Sequence, residues 1–323
     1  MNYMTAYLIK FFLGVVILLL STQIFVKLAV KMSEIFRLSP LIIGLTIMSL
    51  GTSLPEIAVS AISSAGGDTG LATGNIIGSN IINVFLIFGI GILVDELRIG
   101  TTKTQKNIVI LLLVTLLFIF LESVFPFPRI LGSFFIISYI FFTYMEYKWG
   151  IMGRVKEDLA FITSLKKREI TPDLIVGIIL SVMGVGVGGF LIVDSMEELA
   201  ILSGYSTTIF GLTLTAIATS LPELLTTIQS QKEDEDKITI GNLLGSSLFN
   251  LLFIGGLANI TGGSMKLPIV EAMFLIISAI LFFGVVTFYK GKNIPKWVGM
   301  LLIAIFVFYI YVISFTGRGI LTG

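Results

Sequence analysis

The chain has 323 residues, of which 55% are hydrophobic and only 13% are charged, and its mean hydropathy is +1.02. A soluble domain of this size needs more charge on its surface, so a soluble globular protein is excluded. Because the sequence has no Cys and no His, disulfides, thiolate or imidazole metal sites and Ser-His catalysis are excluded as well. The net charge of +1 gives no electrostatic basis for nucleic-acid binding.

Ten apolar runs follow one another along the chain, each long enough to cross a hydrocarbon core of about 30 Å as a helix. The sequence therefore predicts an all-α polytopic membrane protein. The predicted spans are 6–29, 39–64, 71–94, 107–125, 129–147, 174–200, 206–230, 238–261, 268–289 and 296–315.

The loops between the spans differ strongly in charge. The loops after the odd-numbered spans hold 17 of the 21 basic residues. Because basic loops stay on the cytoplasmic side, both termini are predicted to lie outside a cell membrane. The longest loop, 148–173, is predicted to be a cytoplasmic linker that joins a first unit, 1–147, to a second unit, 174–323.

Two pairs of segments repeat with the same offset of 167 residues. GLTIMSLGTSLPE (44–56) matches GLTLTAIATSLPE (211–223) at eight of 13 positions, and GNIIGSNIIN (74–83) matches GNLLGSSLFN (241–250) at five of ten. Each half holds five predicted spans, and an odd number places the second copy upside down relative to the first. The predicted architecture is ten transmembrane helices in two inverted five-helix repeats, as in secondary transporters with a site near the bilayer midplane.

The repeated segments share polar residues. Glu56 and Glu223 are the only acids that the sequence places deep inside spans. A carboxylate at the bilayer centre costs about 3 kcal/mol on insertion scales, so two at equivalent positions indicate a ligand that offsets the cost. Pro55 and Pro222 precede them and cannot donate to the carbonyl four residues back, which predicts broken helices with freed backbone oxygens.

Helical spacing gathers further oxygens around each glutamate. Thr52 lies four residues before Glu56 on the same helix face, as Thr219 lies before Glu223. Hydroxyl and amide side chains extend both motifs at Ser49, Ser53, Asn75, Ser79, Asn83, Ser220, Asn242, Ser246 and Asn250. Of these, Asn75 and Asn242 are interpreted as residues that cap or hold broken helix ends. Oxygen donors without thiolate or imidazole favour hard cations such as Ca²⁺ and Na⁺, and two carboxylates balance one Ca²⁺.

In these motifs the sequence resembles the cation/Ca²⁺ antiporter superfamily, and within it the sodium/calcium exchangers of prokaryotic type. The resemblance implies that the two glutamates are shared ligands for Ca²⁺ and Na⁺, with hydroxyl, amide or backbone oxygens completing the site. The implied cation ligands are Glu56, Glu223, Thr52, Thr219, Ser53, Ser220, Asn83, Asn250, Ser79, Ser246, Ser49 and Ala216, the last two through their carbonyls.

The resemblance also limits what is expected of the protein. In K⁺-dependent members an acid occupies the position of Asn250, so the amide argues against K⁺ dependence. The linker has no room for the regulatory Ca²⁺-binding domain of animal exchangers. Gly-rich span 6, with Gly184, Gly186, Gly188 and Gly189, and span 1 resemble the family's sliding gate helices, and close helix packing is the alternative.

The leading hypothesis is therefore an electrogenic Na⁺/Ca²⁺ antiporter that works by alternating access, with no catalytic residues and no cofactor. Ca²⁺/H⁺ antiport on the same scaffold is the alternative, although proton coupling needs no hydroxyl cage. A passive cation channel would need a continuous pore, and an intramembrane protease would need motifs that the sequence lacks. The expected partners are Ca²⁺, Na⁺ and the lipid bilayer, and the oligomeric state stays open, a monomer included.

Overall fold

The structure is a computed structural model that describes residues 3–35, 49–99, 102–152, 171–232, 236–265 and 267–316. Within those ranges the chain is helical and forms no strand beyond an isolated bridge between Arg98 and Asn293. The helices are α1 (Tyr3–Ile35), α2 (Ser49–Thr52 and Leu54–Ala65), α3 (Thr69–Val94), α4 (Thr102–Val124), α5 (Pro128–Met152), α6 (Pro172–Ser203), α7 (Thr207–Thr219 and Leu221–Lys232), α8 (Asp236–Gly262), α9 (Ile269–Phe288) and α10 (Lys296–Thr316).

The described helices agree with the predicted membrane spans. Eight of them are long and apolar enough to cross a bilayer, and α7, bent by 40°, makes a ninth. The second predicted span, 39–64, begins among residues 36–48, which lie outside the described part of the chain, and its second half is the apolar helix Leu54–Ala65 of α2. The predicted all-α membrane architecture is confirmed.

The helices contact one another in the pattern of two inverted repeats. Exchanging α1–α5 with α6–α10 preserves the helix pairs: α3 packs on α7 and α10, while α8 packs on α2 and α5. Two further packed pairs, α1 with α6 and α4 with α9, are each formed by equivalent helices of the two repeats, so the exchange leaves them unchanged. This is the arrangement that a pseudo-two-fold axis in the membrane plane produces.

Two helices form the centre of the bundle. In α3 and in α8, 83% of the apolar stretch that would cross the membrane is buried inside the protein, against 28% in α4 and 22% in α5. The outer helices instead expose large apolar side chains such as Phe12, Leu113 and Phe141, as lipid-facing helices do. The repeated Gly-Asn motifs therefore lie on the two helices that are most enclosed by protein.

Small residues explain how α3 approaches α7 so closely. A Cβ added to Gly74 would fall against the carbonyl oxygen of Thr208 and 2.8 Å from the amide nitrogen of Leu212. A Cβ on Gly211 would meet the carbonyl oxygen of Leu71 at 2.6 Å. Glycine is required on both helices because the two backbones touch, a close approach that small residues permit between membrane helices.

Helices α1 and α6 form a second tightly packed pair. A Cβ on Gly188 would lie 2.7 Å from the Cβ of Leu18, and one on Gly14 would lie 3.0 Å from the carbonyl oxygen of Gly188. Lys10 and Asp194 form an ion pair between the same two helices.

Candidate cation-binding site

The helices that carry the glutamates are broken just before them. Regular helix is interrupted at Ser53 (φ −87°, ψ 10°) and at Ser220 (φ −82°, ψ 5°). Pro55 and Pro222 follow in the first turn of each new helical segment, where the missing N–H is tolerated. The break is therefore a consequence of the repeated Ser-Leu-Pro-Glu sequence, and it is nearly identical in the two halves.

Glu56 is held by hydroxyls from both repeats. Its side chain is 1% exposed, and Oε1 accepts hydrogen bonds from Ser220 at 3.1 Å and from Ser79 at 3.4 Å. Its second oxygen, Oε2, is buried and has no hydrogen-bond partner. One oxygen of the carboxylate is thus fixed by two hydroxyls, while the other makes no hydrogen bond within the described residues.

Glu223 repeats this arrangement from the other half. It is also 1% exposed, and its Oε1 accepts from Ser53 at 3.0 Å and from Ser246 at 3.4 Å. Its Oε2 is likewise buried without a partner. In each half the serine two residues before the proline donates to the glutamate of the opposite repeat, so the two broken helices are joined across the pseudo-two-fold axis.

Two buried carboxylates with unpaired oxygens are costly in the middle of a membrane protein. Within the described ranges, no group of three or more acidic, His or Cys side chains could hold a metal ion. Any cation bound here would therefore be balanced by Glu56 and Glu223, with neutral oxygens completing its coordination.

Asn83 and Asn250 supply neutral oxygens next to the serines. Each is 1% exposed and begins a π-helical turn, Asn83–Phe88 in α3 and Asn250–Ile254 in α8. In both side chains neither the amide nitrogen nor the amide oxygen has a hydrogen-bond partner. Isolated π-turns frequently occur at functional sites, and these two place an unsatisfied amide one turn beyond Ser79 and Ser246.

The threonines of the two motifs make a further pair of contacts between the repeats. Thr219 donates through Oγ1 to Oδ1 of Asn75 at 3.0 Å, and Thr52 donates to Oδ1 of Asn242 at 3.3 Å. The implied ligand set omits both asparagines. The sequence placed both among the polar residues of the repeated motifs and interpreted them as residues that cap or hold broken helix ends.

The carbonyls of Ser49 and Ala216 are already engaged. The Ser49 carbonyl accepts from the amide of Ser53 at 3.0 Å and from the hydroxyl of Thr52 at 3.4 Å. The Ala216 carbonyl accepts from Ser220 at 3.0 Å and from Thr219 at 3.3 Å. Their role as backbone ligands stays a prediction.

All twelve predicted ligands lie in the described part of the chain, and none is more than 2% exposed. Hydrogen bonds join Glu56 and Glu223 to four serines, while Asn83 and Asn250 lie one helical turn further along α3 and α8. The predicted ligand set is thus gathered around the interface between the repeats.

Besides Glu56 and Glu223, two acids near the ends of their helices are enclosed at least in part by protein. Glu271, in the first turn of α9, is 8% exposed and has a buried, unpaired Oε2, because α9 packs against α3 and α4. Glu122 of α4 accepts a hydrogen bond from Asn259 of α8. Neither acid hydrogen-bonds to the ligand set described above.

Comparison with known proteins agrees with this geometry. The family described as "Sodium/calcium exchanger protein" matches residues 6–148 and 174–315. The chain belongs to the sodium/calcium exchanger family. The exchanger is 32% identical to the membrane protein MJ0091 of Methanocaldococcus jannaschii, over 92% of this chain and 94% of that one. It is 28% identical to the sodium/calcium exchanger MaX1 of Methanosarcina acetivorans, over 94% and 97% of the two chains.

Solved structures of the sodium-calcium exchanger NCX_Mj share the fold. The form soaked with 2.5 mM Na⁺ and 1 mM Sr²⁺ gives a TM-score of 0.67 at 27% identity, covering 96% of this exchanger and 99% of that chain. The form without Na⁺ and Ca²⁺ gives 0.65 at 28% identity. Both likenesses extend over nearly the whole chain.

Proposed function

We propose that this Na⁺/Ca²⁺ antiporter binds Ca²⁺ and Na⁺ in turn at the interface between its two repeats. The observation that carries the proposal is the pair of buried, unpartnered Oε2 atoms of Glu56 and Glu223, one from each repeat. The proposed ligands are Glu56, Glu223, Thr52, Thr219, Ser53, Ser220, Asn83, Asn250, Ser79, Ser246, Ser49 and Ala216.

The charge of the site gives a physical reason for exchange. Two carboxylates balance one Ca²⁺ or two Na⁺, so occupancy by one ion species excludes the other. The neutral oxygens of the serines and asparagines offer room for a further Na⁺, which would make the cycle electrogenic. The membrane potential would then contribute about 2.3 kcal/mol per net charge per 100 mV.

Alternating access requires one body to move past another around the site. The glycine-mediated packing of α1 on α6 supports a proposal that these two helices move as a unit. Gly189 of α6 faces Ala58 of α2, where an added Cβ would lie 2.7 Å from the alanine Cβ, so this movement would be transmitted close to Glu56.

The repeat and the charges of the loops support a topology for the chain. The two repeat units would be 1–147 and 174–323, joined by a cytoplasmic linker, 148–173, most of which lies outside the described residues. Both termini would face the outside of the cell membrane. The exchanger would use no cofactor and catalyse no covalent step, since ions are its only substrates.

Uptake of ⁴⁵Ca²⁺ into proteoliposomes tests the proposal directly. Vesicles loaded with Na⁺ are expected to accumulate ⁴⁵Ca²⁺, while vesicles loaded with K⁺ or with acid are not. If transport is electrogenic, clamping the potential inside-positive should speed uptake, because more than two Na⁺ leave for each Ca²⁺ that enters and net positive charge moves out of the vesicle.

Other outcomes separate the alternatives. Uptake driven only by the acid load would assign Ca²⁺/H⁺ antiport, and flux without any counter-ion would assign a channel. Replacing external K⁺ with choline should leave uptake unchanged, because an amide occupies position 250. A clear K⁺ requirement would contradict that part of the proposal.

A further inference from the structure

Two asparagines outside the proposed ligand set occupy equivalent positions in the repeats. Asn75 and Asn242 are both fully buried, and each accepts a hydrogen bond from a proposed ligand threonine of the opposite repeat, Thr219 and Thr52 respectively. The amide oxygens of the two asparagines therefore make equivalent hydrogen bonds in both halves of the molecule.

The donor ends of the two amides differ. Nδ2 of Asn75 donates to Oγ of Ser60 at 3.0 Å and lies 3.5 Å from the carbonyl oxygen of Glu56. Nδ2 of Asn242 is buried and has no partner. Thr227, which is the counterpart of Ser60 at the same offset, likewise has a buried Oγ1 without a partner. The hydrogen bond between Asn75 and Ser60 is therefore formed, whereas the equivalent bond between Asn242 and Thr227 is not.

The two contacts lie on opposite sides of the cation site. Ser60 follows Glu56 by one turn in α2, and Thr227 follows Glu223 by one turn in α7, and inverted repeats run these helices in opposite directions. Unpaired amide and hydroxyl groups are costly when buried, so the Asn242–Thr227 contact is a stable alternative available to a different arrangement of the same helices.

We propose that Asn75 and Asn242 are positioning residues that form a two-sided latch. In the described arrangement Asn75 holds Ser60, and in the opposite access state Asn242 holds Thr227 while Asn75 releases Ser60. Both asparagines keep their threonines throughout. The inference rests on alternating access within the proposed function. The hydrogen bonds that Asn75 and Asn242 donate would set the relative populations of the two access states.

Removing one latch contact should shift this balance in a predictable way. Loss of a single buried hydrogen bond changes a two-state equilibrium by about fivefold. Because the apparent affinity at each face scales with the population of the state open to that face, a shift raises it on one side and lowers it on the other. Ser60→Ala and Thr227→Val destabilise opposite states, so their effects should have opposite signs.

The test measures half-saturating ⁴⁵Ca²⁺ concentrations from both faces, using right-side-out and inside-out membrane vesicles. The ratio of the outer to the inner value should change by about fivefold in one direction for Ser60→Ala and by a similar factor in the other for Thr227→Val. Ser60→Thr and Thr227→Ser keep the hydroxyl and should leave the ratio within about twofold of the wild type.

Each other outcome overturns the latch. A ratio that is unchanged, or that moves in the same direction in both variants, would contradict it. Equal loss of affinity at both faces would show that the hydroxyls only support the site. Thermal unfolding in detergent confirms that each variant is folded, and Thr227→Val tests the idea even if Ser60→Ala does not fold. A wild type without Na⁺-driven uptake would instead refute the proposed function.

Discussion

Replacing Glu56 with glutamine is expected to reduce Na⁺-driven ⁴⁵Ca²⁺ uptake by at least about 100-fold, since removing one partner of a buried charge pair costs about 3–5 kcal/mol. The substitution keeps the size of the side chain but removes half of the negative charge of the site. It also puts an amide donor in a site whose cation needs oxygen ligands. Glu223→Gln should have the same effect, because the two glutamates have equivalent hydrogen bonds from opposite repeats.

The matched control for this prediction is Glu271→Gln. Glu271 is also a buried acid within a membrane helix and also has an unpaired oxygen, but it lies outside the ligand set. Uptake by this variant is expected to stay within about twofold of the wild type, as for changes remote from the site. Similar losses in all three variants would mean that burial of the acids, rather than cation binding, explains the effect.

Replacing Gly74 with alanine is expected to destabilise the exchanger and to abolish most transport. The added methyl group would meet the carbonyl oxygen of Thr208 and the amide nitrogen of Leu212. Both belong to the backbone and cannot turn away, so α3 and α7 would have to separate, at a cost of about 1–3 kcal/mol or more. Apparent melting temperature in detergent and uptake per folded molecule would both fall.

A second glycine in a membrane helix provides the comparison. Gly284 of α9 is exposed, and an added Cβ would have nothing within 4 Å. Gly284→Ala should therefore leave the melting temperature unchanged or raise it slightly, because alanine favours helix over glycine by about 1 kcal/mol. If Gly74→Ala melts at the same temperature as Gly284→Ala, α3 and α7 do not touch through their backbones.

Much of the fold could be predicted because the relevant signals are local. Apolar runs define the helices, and the duplicated Pro-Glu pairs define where two of them break. The positions of Glu56 and Glu223 at one site follow from the repeat, since inversion brings equivalent residues to a shared axis. Sequence identity between the two copies was therefore the signal that located the site.

Residues that differ between the two copies could not be predicted in this way. Ser60 and Thr227 occupy equivalent positions with different residues, so a comparison of the copies passes over them. The bonds from Thr52 to Asn242 and from Thr219 to Asn75 depend on how the two halves dock, which no single segment encodes.

Two other features depend on packing rather than on residue type. The π-turns that begin at Asn83 and Asn250 leave no signature in composition, because one extra residue per turn is compatible with the same apolar sequence. The ion pair between Lys10 and Asp194 depends on how α1 and α6 pack, which neither segment encodes by itself.

The most direct test of the central claim, that Ca²⁺ and Na⁺ compete for one site between the repeats, is Ca²⁺ binding to the purified exchanger by calorimetry at increasing Na⁺ concentrations. We expect the apparent Kd for Ca²⁺ to rise with Na⁺ with a logarithmic slope above one, since more than one Na⁺ must leave for each Ca²⁺ that binds. The Glu56→Gln variant is expected to show no binding. Ca²⁺ binding that Na⁺ does not weaken, and that only acid displaces, would contradict the claim.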